Sequence, residues 1–150
     1  MRGFLLLFKV INLGGKMAFT DFYRLSAHGV ITNASGEVLL LKASYGELSW
    51  GLPGGALDVG ETVHQALIRE CQEELGCEVK IEHLTGIYYH KAFNSHAFIF
   101  RVSLLKDAVI TLSDEHLAHR YYKLSELSKV QQHRVAACLN YTGTVDSAAF

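Results

Sequence analysis

The sequence predicts an α+β fold, an α/β/α sandwich in which a mixed sheet is flanked by helices. Three observations carry that prediction. Short apolar, β-branched segments recur along the chain and are separated by turn chemistry. One stretch near the middle has the start and stop signals of a helix, and a second near the end spaces its apolar residues helically. Strands outnumber helices, and both kinds of element need a partner layer to cover their apolar faces. With 150 residues, 49% of them hydrophobic, the chain is long enough for one core and leaves little room for another.

The chain opens on Phe4-Leu5-Leu6-Leu7-Phe8, an apolar run that Lys9 interrupts. No small-x-small cleavage pattern follows, and the run is too short to span a bilayer. Met17 begins a more conventional start. The expectation is a flexible or mis-assigned extension over 1–16 and a single domain over 17–150; an extra edge strand or a hydrophobic homodimer contact is the alternative for the extension.

Arg24 to Thr32 and Val38 to Lys42 read as strands, and Asn33-Ala34-Ser35-Gly36 between them supplies a turn, so the pair is expected to form a hairpin. Leu48 to Leu52 is short and apolar, and it runs into Pro53-Gly54-Gly55, the strongest breaker in the chain. A helix follows over Val63 to Leu75. Thr62 is its N-cap, Gln65 completes a capping box, and Gly76 stands where the C-terminal cap wants a left-handed residue. Glu78 to Ile87 and Ala97 to Leu105 read as strands, joined by the polar stretch His90 to Ser95, and Arg120 to Lys123 as another short one. Val135, Cys138 and Leu139 place a second helix over Gln131 to Tyr141.

Composition excludes several classes of function. A net charge of −1 with no long basic run gives no footprint for polymeric nucleic acid. Three cysteines, Cys71, Cys77 and Cys138, without a CxxC spacing, argue against a disulfide framework or a zinc site. Reduced thiols are expected, and with them a cytoplasmic location and no membrane partner. Of the eight histidines only His116 and His119 stand at a suggestive spacing, and they read as surface or hydrogen-bonded side chains.

The chemistry is concentrated on the first helix. At 100° per residue, Glu70 and Glu74 lie within about 20° of the line through Val63, beside Ala66 and Leu67, and Glu73 adjoins them. Two of three neighbouring carboxylates therefore sit at the edge of the apolar stripe. Like charges at i, i+4 repel, and partly buried carboxylates are costly unless a cation compensates them. A hard divalent cation answers both problems, because carboxylate oxygens suit Mg²⁺ or Mn²⁺. Taken alone, the same residues would read as a solvated helix face.

The wider segment decides between them. Gly55, Glu61, Arg69, Glu70, Glu73, Glu74 and Gly76 occupy all seven fixed positions of a pattern that resembles the Nudix box. By ordinary residue frequencies such a match arises by chance less than about once in a million chains of this size. Cys71 and Cys77 stand where an aliphatic residue is usual. Trp50-Gly51-Leu52-Pro53-Gly54-Gly55 resembles the family's entry to the loop, and the specific resemblance covers Ala27 to Val79.

That resemblance implies a catalytic loop-helix-loop and a pyrophosphohydrolase dependent on Mg²⁺ or Mn²⁺, acting on a small nucleotide-like substrate. It implies Glu70, Glu73 and Glu74 as metal ligands, joined by the Gly55 carbonyl. Glu61 would orient the loop, and Arg69 would hold a carboxylate with its planar fork. The general base is a box glutamate or a later acid, for which Glu115 is the candidate. Tyr88, Tyr89 and Phe93, near a hairpin end, are the candidate substrate-stacking residues; Tyr45 is another aromatic of this kind, while Trp50 reads as core. Neither the proline associated with ADP-ribose nor the tyrosine associated with diadenosine polyphosphates is found at its place. A nucleotide-sensing module without catalysis is the competing reading, and the intact box acids weigh against it.

Overall fold

The computed structural model describes residues 22–150; the extension expected over 1–16, with its suggested dimer contact, lies outside them. The described chain runs β1 (Arg24–Val30), β2 (Val38–Ala43), β3 (Trp50–Gly51), β4 (Gly54–Ala56), α1 (Val63–Leu75), β5 (Val79–His90), β6 (Ser95–Leu104), β7 (His116–Tyr122), α2 (Lys129–Leu139) and β8 (Asp146–Ala149). The strands form two sheets rather than the one expected. Five are ordered β4-β1-β6-β5-β8 and three β3-β2-β7. The larger sheet is mixed, with β1 parallel to β6 and antiparallel to β4, and β5 antiparallel to β6 and parallel to β8.

The expected hairpin between β1 and β2 is corrected. Its turn forms, with the Asn33 side-chain oxygen accepting from the Ser35 and Glu37 amides and Gly36 at φ +77°. Beyond the Thr32–Val38 bridge, however, the two strands part into different sheets. Both edges of β1 are taken by β4 and β6, so β2 pairs with β3 and β7 instead.

Alternation along β6 shows how the layers are built. Phe100 and Val102 face one cluster with Leu67, Cys71 and Leu75 of α1, while Ala97 and Ile99 face another with Val135 and Cys138 of α2. β1 and β2 divide in the same way, Ala27, Leu39 and Leu41 on the α1 side and Val30, Val38 and Leu40 on the α2 side. A sheet apolar on both faces needs a helix on each, and the sandwich follows. β8, an Asp-Ser-Ala-Ala strand without a β-branched residue, carried no strand signal in the sequence.

Among the described residues no helix is long and apolar enough to cross a membrane. Cys71 and Cys138 are buried and Cys77 partly so, all three as free thiols.

Candidate functional site

α1 is fixed at both ends by its own sequence. Thr62 Oγ1 accepts from the Gln65 amide at 3.2 Å while Gln65 Oε1 accepts from the Thr62 amide at 2.9 Å. Gly76 closes the helix at φ +63°. Burial of Leu67, Cys71 and Leu75 fixes the helix's rotation, and so decides where the carboxylates point. Side-chain exposure is 15% for Glu70, 7% for Glu74 and 58% for Glu73, so two of the three acids sit at the edge of the buried face as the wheel predicts.

The loop of β4 lies directly against them. Gly54 adopts φ +130°, and a Cβ there would stand 2.1 Å from the Ala27 carbonyl oxygen, so only glycine fits. A Cβ at Gly55 would stand 2.6 Å from Glu70 Oε1, which shows how closely that backbone approaches the carboxylate. The Gly54 amide donates to Glu74 Oε2 at 2.8 Å.

Arg69 ties the preceding loop to the helix. Its Nε and Nη2 grip both oxygens of Glu61 at 2.6 and 3.0 Å, and Nη2 also donates to the Ala56 carbonyl at 3.1 Å. Nη1 reaches Glu70 Oε1 at 3.0 Å and Glu73 Oε2 at 3.3 Å. The Arg69 hydrogen bonds hold the Glu61 carboxyl below its ordinary range, and Glu61 in turn raises the guanidinium. Arg69 thereby bonds both the loop and the helix through charge-assisted contacts.

Burial is the main cause that pushes the Glu74 carboxyl up to about 8, and the neighbouring Glu70, Glu115 and Glu73 add to it against the pull of the Gly54 amide. Glu70 is raised as well, first by burial, with Arg69 opposing and Glu73 and Glu115 reinforcing. Among the described residues no three His, Cys, Asp or Glu side chains already converge as a closed metal cage; Arg69 engages both Glu70 and Glu73. The donor set still suits a hard cation: oxygens throughout, a buried and a partly buried acid in mutual repulsion, and a glycine backbone closing over one of them.

Glu115, on the loop before β7, joins this group, since its charge is felt at both Glu70 and Glu74. The loop is held by Ser44, whose amide donates to the Glu115 carbonyl at 2.9 Å and whose hydroxyl donates to the Asp114 carbonyl at 3.0 Å. His116, read from sequence as an ordinary histidine, stands beside it. Its Nε2 lies 3.5 Å from Glu74 Oε1, and its Nδ1 is buried without a hydrogen-bond partner. Only the pairing of β7 with β2 brings it there, and no local signal in the sequence reports that pairing.

The candidate aromatics separate. Tyr88 is fully buried, with its hydroxyl donating to Asp146 Oδ2 at 2.8 Å; the stacking role expected of it is corrected, because both faces of a core ring are already covered. Tyr89 is partly buried, and its hydroxyl donates to Asn94 Oδ1. Phe93 is 71% exposed and lines a cavity of about 400 Å³. Tyr45 lines the same cavity, together with Gly54, Gly55 and, on the α2 side, His28, His90 and Arg134. A smaller cavity of about 150 Å³, lined by Glu74 and His116, shares Tyr45 and Gly54 with it. The carboxylate cluster and the larger cavity thus adjoin across β4. Trp50 packs edge-on to Tyr122 against the core, as expected.

The NUDIX domain family model matches residues 22–139. A MutT-like protein of Streptomyces ambofaciens is 33% identical over 79 residues, 53% of this chain and 51% of the relative. An RNA pyrophosphohydrolase of Blochmanniella floridana is 40% identical over 70 residues, 45% of this chain and 44% of the relative. The chain thus spans about half the length of these curated relatives. An ADP-ribose pyrophosphatase of Streptococcus suis superposes with a TM-score of 0.68 over 86% of this chain and 100% of its own, at 19% identity, and shares the fold.

Proposed function

The chain belongs to the NUDIX domain family, and on that premise we propose that it hydrolyses a diphosphate linkage in a nucleoside diphosphate joined to a further group. The observation that carries this reading is Glu74. A carboxylate 7% exposed, clamped by the Gly54 amide and crowded by Glu70 and Glu115, is a poor choice for stability alone. It lines a cavity, where such an arrangement has a use.

Glu70, Glu73, Glu74 and the Gly55 carbonyl hold a divalent cation, Mg²⁺ or Mn²⁺, in this reading. Once bound, the cation supplies charge neutralisation at phosphate oxygens and activates the attacking water. The chain's own groups do the rest. Arg69 and Glu61 hold the loop against the helix, so that the carboxylates face the substrate in a fixed geometry. Glu115 takes a proton from water as its oxygen bonds to one phosphorus, and the bridging oxygen leaves that phosphorus with the bonding electron pair. Phe93 and Tyr45 offer ring faces to the nucleotide.

The reading is tested by phosphate release, through a coupled phosphatase, from nucleoside triphosphates, dinucleotides and nucleotide sugars, with and without Mg²⁺. Metal-dependent turnover of one class supports it. No turnover anywhere, with thermal stabilisation by nucleotide, would instead support a nucleotide-sensing module.

A further inference from the structure

α2 contributes an arginine for which the hydrolytic site described above has no use. Arg134 lies on the inner side of that helix and lines the larger cavity beside β4. Its Nη2 donates to Gln131 Oε1 at 2.7 Å, and its Nη1 lies 3.2 Å from His90 Nε2. Its Nε is buried with no hydrogen-bond partner. Both neighbours are neutral, and among the described residues the guanidinium forms no ion pair. A charge turned inward without a counter-charge is among the costliest things a fold can carry.

The rest of the cavity does not relieve it. His28 and His90 are both lowered, chiefly by burial and further by Arg134 itself, His28 to about 4, so neither adds a carboxylate-like partner. Arg24 adds a second positive charge at the wall. Among the described residues no Asp or Glu lines this cavity. The adjoining cavity contrasts with it: Glu74 lines one side of Gly54, and Arg24 and Arg134 line the other.

We propose that Arg134 anchors an anion subsite that receives a phosphate group of the substrate remote from the linkage being cut. This rests on the hydrolase reading and deepens it. The substrates favoured are those whose phosphate chain extends past the scissile linkage, such as nucleoside triphosphates and longer polyphosphates. Conjugates whose further group is a neutral sugar present nothing for the guanidinium to bind. The planar fork suits the oxygens of a phosphate, and its Nη groups are held only by neutral partners, His90 and Gln131. A guanine edge is disfavoured, because no acid or free amide lines the cavity among the described residues to receive its ring and exocyclic N–H groups.

The test has a metal-free arm and a kinetic arm. In chelator, where the glutamates have no cation and repel anions, inorganic pyrophosphate binding is followed by calorimetry. The wild type is expected to bind saturably, Arg134→Gln at least tenfold more weakly, and Arg134→Lys in between. In the kinetic arm, Arg134→Gln raises KM for a nucleoside triphosphate about tenfold with kcat within a few-fold, and leaves KM for a nucleotide sugar unchanged. Equal pyrophosphate binding by the wild type and both variants overturns the subsite, as does an equal rise of KM for both substrates. Wild-type turnover with no effect of either variant sinks the subsite alone; Arg134-dependent pyrophosphate binding without turnover supports the subsite and sinks the hydrolase. Arg134→Lys keeps the charge, so it answers the question even where Arg134→Gln fails to fold.

Discussion

The Gly54 amide and the Glu74 carboxylate meet at 2.8 Å, across 20 residues of sequence. That contact joins the loop to the most buried acid of α1, and each partner depends on the other. Gly54 holds this position at φ +130°, with the Ala27 carbonyl where a Cβ would stand. Substitution Gly54→Ala forces a Cβ into the Ala27 carbonyl and a disfavoured backbone region, and is expected to destabilise the fold by about 2–4 kcal/mol. Denaturant titration measures it, and a change below about 0.5 kcal/mol would show that the loop relaxes freely.

Glu74 also sets a pH dependence. Its folded carboxyl is pushed up to about 8 from an ordinary 4.5, so between those values the folded chain holds a proton that the unfolded chain has released. The contribution to stability is full below about 4.5 and is lost as pH rises through about 8. In chelator, the wild type should therefore lose Tm between about pH 5 and 8 relative to Glu74→Gln. Parallel Tm profiles for the two proteins would show that Glu74 ionises normally.

Glu115 is exposed on the loop before β7. Glu115→Gln is expected to lower kcat about 10²-fold or more while leaving KM and Tm nearly unchanged. A rate within a few-fold of wild type would return the base role to a box glutamate.

Tyr88 and Phe93 are expected to respond oppositely. Tyr88→Phe removes the hydrogen bond to Asp146 and should lower stability by about 1 kcal/mol without altering KM. Phe93→Ala removes an exposed cavity wall and should raise KM several-fold at unchanged Tm. Combined thermal melts and steady-state kinetics separate them; a KM effect of Tyr88→Phe larger than that of Phe93→Ala would reverse the assignment.

Local chemistry made much of this legible in the sequence. The caps at Thr62, Gln65 and Gly76 and the rotation of α1 follow from spacings within a single segment, whereas the Gly55, Glu61, Arg69, Glu70 grouping is implied by the resemblance to the Nudix box. What depended on distant pairing was not legible. The sheets divide because β1 already has two neighbours, β8 is held by β5 rather than by its own propensity, and His116 reaches Glu74 only through the β2–β7 register. Tyr88 and Tyr89 are adjacent in sequence and point to opposite faces of β5, so one enters the core and the other does not. Arg134 carried no signal at all, since an arginine on a short helix is ordinarily solvated.

The central claim is that the α1 carboxylates bind a catalytic divalent cation, and Glu74→Gln tests it most directly, because Gln keeps the size and can still accept from the Gly54 amide. Mg²⁺ or Mn²⁺ binding by calorimetry and turnover should be measured side by side on wild type and variant. The account predicts weakened metal binding and a loss of turnover of at least about 10²-fold, with the fold intact. Full turnover and unchanged metal affinity in Glu74→Gln would contradict it.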